Sequence, residues 1–159
     1  MKRSDLNLTP CVQQHDRWSQ YFFDKAKHEA RMSKDPSSQV GAVIVRPDKT
    51  VASTGWNGFP RGVEDNREHL RDRDEKYPRV IHAELNAILS ANEKLAGYSM
   101  WTSPHFTCAR CAGAIIQKGI SDVNVMCGNE IPDRWAQDMM IAADMYRQVG
   151  TRVRFFNCY

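Results

Sequence analysis

The sequence predicts an α/β protein whose sheet combines antiparallel and parallel strands. Two observations support this prediction: a hairpin of β-branched runs in the first third of the chain, and a later alternation of short apolar strands with helices. The 159 residues suit one domain, residues 1–159, with a core of its own. A composition of 42% apolar and 26% charged residues is typical of a globular protein.

The first half of the chain predicts one helix and one hairpin. Apolar residues with a spacing near 3.6 predict a helix over residues 16–31, and Pro36 ends this region because it disfavours helical backbone before it. The β-branched run 40–45, the turn 46–49 and the run 51–54 predict two antiparallel strands.

The second half predicts strands and helices in alternation. A glycine-punctuated loop at 55–62 and a highly charged insert at 64–77 come first, and the charged cluster at 67–79 is interpreted as a solvated face. Pro78 then precedes a predicted helix over 81–95, with Leu85, Ile88 and Leu89 on its inner face. The remaining predicted elements are a strand at 99–102, a helix at 108–118, a strand at 123–126, a helix at 135–149 and a strand at 153–156.

Charge and cysteine usage restrict the function classes. A net charge of +3 is compatible with an anionic ligand but offers no basic run, so we expect no nucleic-acid partner. The sequence has no apolar run long enough to span a membrane and no signal-peptide pattern, so we expect a cytoplasmic, reducing location. Five cysteines then favour metal ligands or free thiols over disulfides. Free thiols are expected at Cys11, Cys127 and Cys158, with a second, structural zinc involving His69 or His105 as the alternative.

Two short patterns together predict a catalytic zinc site. H-A-E at 82–84 opens one predicted helix, and C-A-R-C at 108–111 opens another. Each pattern is weak alone, since C-x-x-C also occurs by chance, in redox pairs and in structural zinc sites. One imidazole and two thiolates, from His82, Cys108 and Cys111, leave one position of a tetrahedral Zn²⁺ open for water. A structural zinc module without turnover would need a fourth protein ligand and would leave Glu84 idle.

Glu84 is the predicted catalytic acid and base. Zinc lowers the pKa of a bound water from about 15.7 to about 7, and a carboxylate beside it can move a proton to N3 of a cytosine and then to the leaving amine. H-x-E followed by P-C-x-x-C is the signature of zinc deaminases that act on nucleobases. The sequence departs from it at one position, because Thr107 stands where the signature has proline.

Further blocks of sequence resemble the deoxycytidylate (dCMP) deaminases. These blocks are S-K-D-P-S-S-Q-V-G-A at 33–42, G-W-N-G-F-P-R-G at 55–62, K-Y-P at 76–78 and I-I-Q-K-G-I at 115–120. The resemblance covers roughly residues 17–126, and the first two blocks separate this family from free-nucleoside and tRNA deaminases. It implies a three-layer α/β/α sandwich with a five-stranded mixed sheet, and zinc-dependent hydrolysis of dCMP to dUMP and ammonia.

The resemblance also implies substrate contacts, assembly and regulation. Asn57 occupies the position that contacts the sugar, Ser33 and Lys34 are candidates for holding a phosphate, and Ala83 is a further predicted substrate contact. The family forms homo-oligomers, commonly hexamers, and many members respond to dCTP and dTTP with Mg²⁺ near the G-x-N-G loop. The family often has a tyrosine-containing segment after residue 126, whereas residues 127–134 here read C-G-N-E-I-P-D-R.

Two alternatives keep the same chemistry but change the substrate. One is another cytosine nucleotide, such as dCTP or a 5-substituted dCMP. The other is a base within nucleic acid, which would require a basic groove with aromatic platforms.

Overall fold

The computed structural model describes residues 1–8 and 12–158 and contains one mixed sheet. The prediction for Cys11 lies outside the described residues. The strands are β1 (Val12–Gln13), β2 (Gly41–Val45), β3 (Val51–Trp56), β4 (Ser99–Ser103), β5 (Asp122–Met126) and β6 (Arg152–Phe156). The helices are α1 (Arg17–Ala30), α2 (Arg67–Arg71), α3 (Arg73–Arg79), α4 (Ala83–Ser90), α5 (Ala109–Gln117) and α6 (Asp133–Val149), after a 3-10 turn at Arg3–Leu6.

The sheet has the order β1-β6-β5-β4-β2-β3. β2 pairs antiparallel with β3 and β4, whereas β4, β5, β6 and β1 run parallel to one another. This confirms the antiparallel start and the parallel second half. All five predicted strands are present. The two-residue β1 adds a further strand beside β6, and so short a segment carries no alternation that a sequence could show.

Helices cover both faces of the sheet. Alternate residues of β2 belong to two separate apolar clusters, which places the clusters on opposite faces. Val43 and Val45 pack with Phe22 and Phe23 of α1. On the other face, the strands pack with helices α4, α5 and α6, through Ala87, Ile115, Met139 and Tyr146 among others. The three-layer α/β/α prediction is confirmed.

Two glycines allow the helices to approach the sheet closely. A Cβ at Gly41 would overlap the carbonyl oxygen of Ala26 in α1. A Cβ at Gly55 would overlap the backbone of α4 at Ala83 and Ala87. The hairpin β2–β3 is therefore in near contact with a helix backbone on each side.

The region between β3 and α4 differs from the prediction. The charged insert forms the short helices α2 and α3, and Pro78 lies in the last turn of α3. Helix α4 is shorter than predicted, and Leu89 is 64% exposed instead of inward-facing. Its buried residues are Ala83, Glu84, Ala87 and Ile88, and the small Ala83 and Ala87 are the ones whose backbone lies against Gly55.

Within the described residues, no helix combines the length and apolarity needed to cross a membrane.

Candidate metal centre and substrate cavity

Two helix N-termini bring the predicted zinc ligands together. His82 is the N-cap residue of α4, with an extended backbone, and Cys108 is the N-cap residue of α5. Cys111 lies in the first turn of α5, and its N–H donates to Cys108 Sγ at 3.4 Å. The partial positive charge of a helix N-terminus favours thiolates at such positions.

The distances among the three side chains fit a tetrahedral zinc ion. His82 Nδ1 lies 3.3 Å from Cys108 Sγ and 3.6 Å from Cys111 Sγ, and all three ligand atoms lie within 4.8 Å of one another. Zinc bonds of about 2.3 Å to sulfur and 2.0–2.1 Å to nitrogen place tetrahedral N and S ligands roughly 3.6 Å apart. In the described part of the chain this is the one cluster of three or more potential ligands, so a second, structural zinc has no support.

The three ligand side chains shift one another's pKa values. Hydrogen bonds with Cys111 and His82 hold the pKa of Cys108 below its ordinary value. The thiol of Cys111 has a raised pKa because of Cys108 and burial. The hydrogen bond with Cys108 raises the pKa of His82 to about 8. One thiolate is thus stabilised by the protein, and the thiolate is the form that binds metal.

Glu84 is the buried carboxyl group beside these ligands. It lies in the first turn of α4 with 4% of its surface exposed, and it lines a cavity together with His82 and Cys108. Burial raises the pKa of Glu84, although attraction to His82 opposes the effect. A raised pKa brings a carboxyl group closer to the range that suits general acid–base catalysis.

The cavity has a volume of about 310 Å³. Its walls come from residues 35–40, helix α3, the start of α4, the loop 105–108 and the first turns of α6. The metal-ligand cluster and Glu84 are therefore at a concave surface that a nucleotide-sized ligand could enter.

Two of the predicted substrate contacts lie at this cavity. Ala83 lines it directly after His82. Asn57 lines it also, but its side chain already has structural partners: Oδ1 accepts from Val40 N at 2.8 Å and Nδ2 donates to Ser38 O at 2.8 Å. Asn57 thus fixes the shape of the loop that forms the wall.

The other two predicted contacts, Ser33 and Lys34, are not among the residues that line this cavity. Ser33 is 4% exposed, and its hydroxyl donates to Asn57 O at 2.8 Å. Lys34 points to solvent and pairs with Asp65 at 2.8 Å. Both side chains are engaged elsewhere, whereas Asp35, Ser37 and Ser38 of the same block line the cavity.

The cavity is also lined by cations that sequence reasoning did not single out. Lys76 of α3 is 5% exposed and pairs with the equally buried Asp35 at 3.1 Å. Arg73 of α3 and Arg134 of α6 line the cavity as well. The guanidinium of Arg134 lies 4.5 Å from the ring centroid of Trp135. The K-Y-P block at 76–78 was the one sequence signal for Lys76.

The loop before the first cysteine is held by α6. The hydroxyl groups of Thr107 and Tyr146 lie 2.9 Å apart, and both side chains are fully buried. Asp138 Oδ2 accepts from the N–H of Ala109 at 3.0 Å. Three metal-ligand side chains on this sandwich, with a buried carboxyl group beside them at the cavity, define a zinc-dependent deaminase.

Comparison with known proteins gives the family. The chain belongs to the cytidine and deoxycytidylate deaminase zinc-binding family, whose model matches residues 16–127. It is 42% identical over 129 residues to human deoxycytidylate deaminase, covering 76% of this chain and 72% of the human protein. It is 42% identical over 140 residues to an uncharacterized deaminase of the luxG 3' region of Aliivibrio fischeri, covering 86% of this chain and 92% of that protein.

Solved structures show the same fold. The dCMP deaminase of the cyanophage S-TIM5, in complex with dCMP and dUMP, superposes with a TM-score of 0.73 at 24% identity. The match covers 91% of this chain and 100% of the phage protein. The cytidine deaminase-like architecture expected from the sequence is therefore confirmed.

Proposed function

We propose that the protein hydrolyses the 4-amino group of a deoxycytidine nucleotide, converting dCMP to dUMP and ammonia. One zinc ion would be held by His82, Cys108 and Cys111. The observation that carries the proposal is the buried carboxyl group of Glu84 beside these ligands at the substrate cavity. The names of relatives at 42% identity, such as human deoxycytidylate deaminase, support dCMP as the substrate.

Glu84 moves the protons of this reaction. When bound, zinc lowers the pKa of a water and polarises it for attack on C4 of the base. Glu84 would accept a proton from the attacking water and deliver it to N3 as the C4–O bond forms. It then transfers the second proton from the new hydroxyl group to the amine, so that the C4–N bond breaks and ammonia leaves. Protons and electrons balance without a second acid.

The nucleotide phosphate is proposed to lie near the two arginines of the cavity wall. Arg73 and Arg134 form no ion pair among the described residues, whereas Lys76 is already paired with Asp35. A phosphate carries close to two negative charges at neutral pH, and charge-assisted bonds to it are the strong ones. Asn57 remains the proposed neighbour of the sugar. This arrangement replaces the contacts expected from Ser33 and Lys34.

The test measures ammonia release from cytidine, deoxycytidine, dCMP, dCTP, a 5-substituted dCMP and a cytosine-containing single-stranded oligonucleotide. One or two contacts worth about 1.5–3 kcal/mol each predict a kcat/KM for dCMP that exceeds that for deoxycytidine by roughly 10²–10³-fold. Arg134→Ala and Arg73→Ala should reduce this preference. Lys34→Ala is the matched control, because Lys34 pairs with Asp65 and does not line the cavity.

Equal kcat/KM values for dCMP and deoxycytidine would refute the nucleotide assignment and leave the zinc chemistry intact. A higher value for dCTP, for the 5-substituted nucleotide or for the oligonucleotide would select one of the alternatives.

A homo-oligomer, with a hexamer favoured, is the second part of the proposal. Trp56 is 38% exposed and Leu89 is 64% exposed, and both line a second cavity, of about 600 Å³, beside the loop at 58–61. Burial of this surface between subunits would remove apolar area from water. A monodisperse monomer at micromolar concentration in light scattering would contradict it.

We also propose that dCTP and dTTP, bound with Mg²⁺, regulate the activity of the enzyme. The second cavity adjoins the G-x-N-G block, where the resemblance places an effector. A hyperbolic dCMP saturation curve, unchanged by either nucleotide, would refute this part. A cytoplasmic location is proposed as well, because Cys108 and Cys111 must stay reduced to bind metal.

A further inference from the structure

The loop leading to Cys108 lacks the proline of the deaminase signature. A proline at residue 107 would fix φ near −65° without any partner. Thr107 leaves this torsion free, so another contact has to hold the residue that precedes the metal ligand.

The structure contains such a contact in the hydroxyl pair of Thr107 and Tyr146. The two oxygens lie 2.9 Å apart, and neither side chain has any exposed surface. Burial raises the pKa of Tyr146 well above its ordinary value, so the phenol stays neutral and can donate or accept. A buried hydrogen bond of this kind has no competing water and holds its groups in one geometry.

The residues next to Thr107 are also docked on α6. The ring of His105 meets the ring of Trp135 edge-on, with centroids 4.8 Å apart. The N–H of Ala109 donates to Asp138 at 3.0 Å. The loop therefore contacts α6 at three points, and the Thr107–Tyr146 hydrogen bond is the buried one.

We propose that Tyr146 is a positioning residue that takes the place of the signature proline. Through Thr107, it sets the backbone that directs Cys108 Sγ towards His82 Nδ1, 3.3 Å away. Rotation at residue 107 would displace Cys108, because the next residue is the N-cap of α5. This inference rests on the proposed function only in taking Cys108 as a zinc ligand.

The test removes each half of the hydroxyl pair with little change in volume. Tyr146→Phe and Thr107→Val should each weaken Zn²⁺ binding by about tenfold, the lower end of the usual effect of groups that orient a ligand. Zinc affinity is measured by competition with a chromophoric chelator, at a temperature where circular dichroism shows every variant folded. In Co²⁺-substituted protein, the thiolate-to-metal absorption band should shift or weaken. Tyr98→Phe, which removes an exposed hydroxyl 3.4 Å from Glu93, is the matched control and should change neither readout.

A proline should rescue the phenylalanine variant. Within the described residues, the N–H of Thr107 donates to no protein acceptor, so Thr107→Pro costs no backbone hydrogen bond. The hydroxyl bond that proline also removes is already absent once Tyr146 is phenylalanine. The double variant Thr107→Pro/Tyr146→Phe should bind Zn²⁺ nearly as tightly as the parent and regain its Co²⁺ spectrum. A merely structural role for Tyr146 would lower thermal stability in the single variants and leave zinc affinity per folded molecule unchanged.

Parental zinc affinity and Co²⁺ spectra in both single variants would overturn the inference, as would a double variant that stays weak. If the parent itself binds no zinc, the proposed function fails instead. If the parent binds zinc and releases ammonia while the variants match it, only the role of Tyr146 is refuted.

Discussion

Removing the ammonium group of Lys76 should destabilise the protein, but by less than removing its partner Asp35. The two side chains form a buried ion pair at 3.1 Å that ties α3 to the cavity wall. Asp35 has further donors, because Oδ1 accepts from Ser37 N at 2.8 Å and from Ser38 N at 3.1 Å. Without its partner, the carboxylate of Asp35 therefore keeps two backbone hydrogen bonds, whereas the ammonium of Lys76 would lose its ion pair.

The contacts set the expected magnitudes. Lys76→Met leaves Asp35 charged but still hydrogen-bonded, which suggests a loss of about 2–3 kcal/mol in the free energy of unfolding, just below the ~3–5 kcal/mol typical of a broken buried pair. Asp35→Ala strands the ammonium and also removes two backbone bonds, for a total of about 4–7 kcal/mol. In a chain of this size, the loss in Lys76→Met corresponds to a Tm lower by about 4–12 °C.

Urea unfolding with saturating zinc and one fixed protein concentration measures both variants, because assembly and metal binding would otherwise alter apparent stability. Lys34→Ala, which breaks an exposed ion pair, is the control and should change stability by less than about 1 kcal/mol. Equal losses in Lys76→Met and Asp35→Ala, or a loss below that of the control in either, would refute the reasoning from the contacts.

Three further outcomes are expected. Cys108→Ser should lose zinc and activity together in metal analysis and ammonia assays, and an active, metal-free protein would contradict this. Glu84→Gln should keep its zinc and lose at least about 10²-fold in rate, so near-normal turnover would mean that another group moves the proton. Asp16→Ala should cost about 1 kcal/mol at neutral pH, because Asp16 caps α1 by accepting from Ser19 N. This bond lowers the pKa of Asp16, so its contribution is present above about pH 4 and is lost as pH falls through the lowered value. Unfolding curves that fail to converge between parent and variant in acid would exclude that assignment.

The elements that the sequence predicted best are those with a local signal. Helix α1 was predicted within one residue of its observed bounds, because Asp16 caps it and a periodic apolar face continues to Ala30. Helices α2 and α3 were missed inside the charged insert, although their caps are visible: Asn66 accepts from His69 N, and Asp72 accepts from Asp74 N. Such short helices have too few turns for periodicity to be detected.

The site residues also divide into those with a local sequence signal and those without one. The spacing of His82, Cys108 and Cys111 was enough to predict a cluster, because metal-ligand chemistry restricts which residues can occur together. The resemblance included the block that contains Ser33 and Lys34, but a motif does not say which of its side chains faces the cavity. Arg134 belongs to no motif that would indicate a site, and only the packing of α6 brings it to the cavity.

Gly41 and Gly55 have a structural role, in packing helices against the sheet, that is separate from catalysis. Each glycine lies where a helix backbone occupies the space of a side chain, α1 on one face of the hairpin and α4 on the other. An alanine at either position would have to push a whole helix outwards, and at Gly55 that helix is α4, which has His82 as its N-cap and Glu84 in its first turn. The glycine of the Q-V-G-A block and the first glycine of the G-W-N-G block thus let the two helices lie directly against the sheet. They determine the distance between the layers of the sandwich, and with it how deeply His82 and Glu84 are placed.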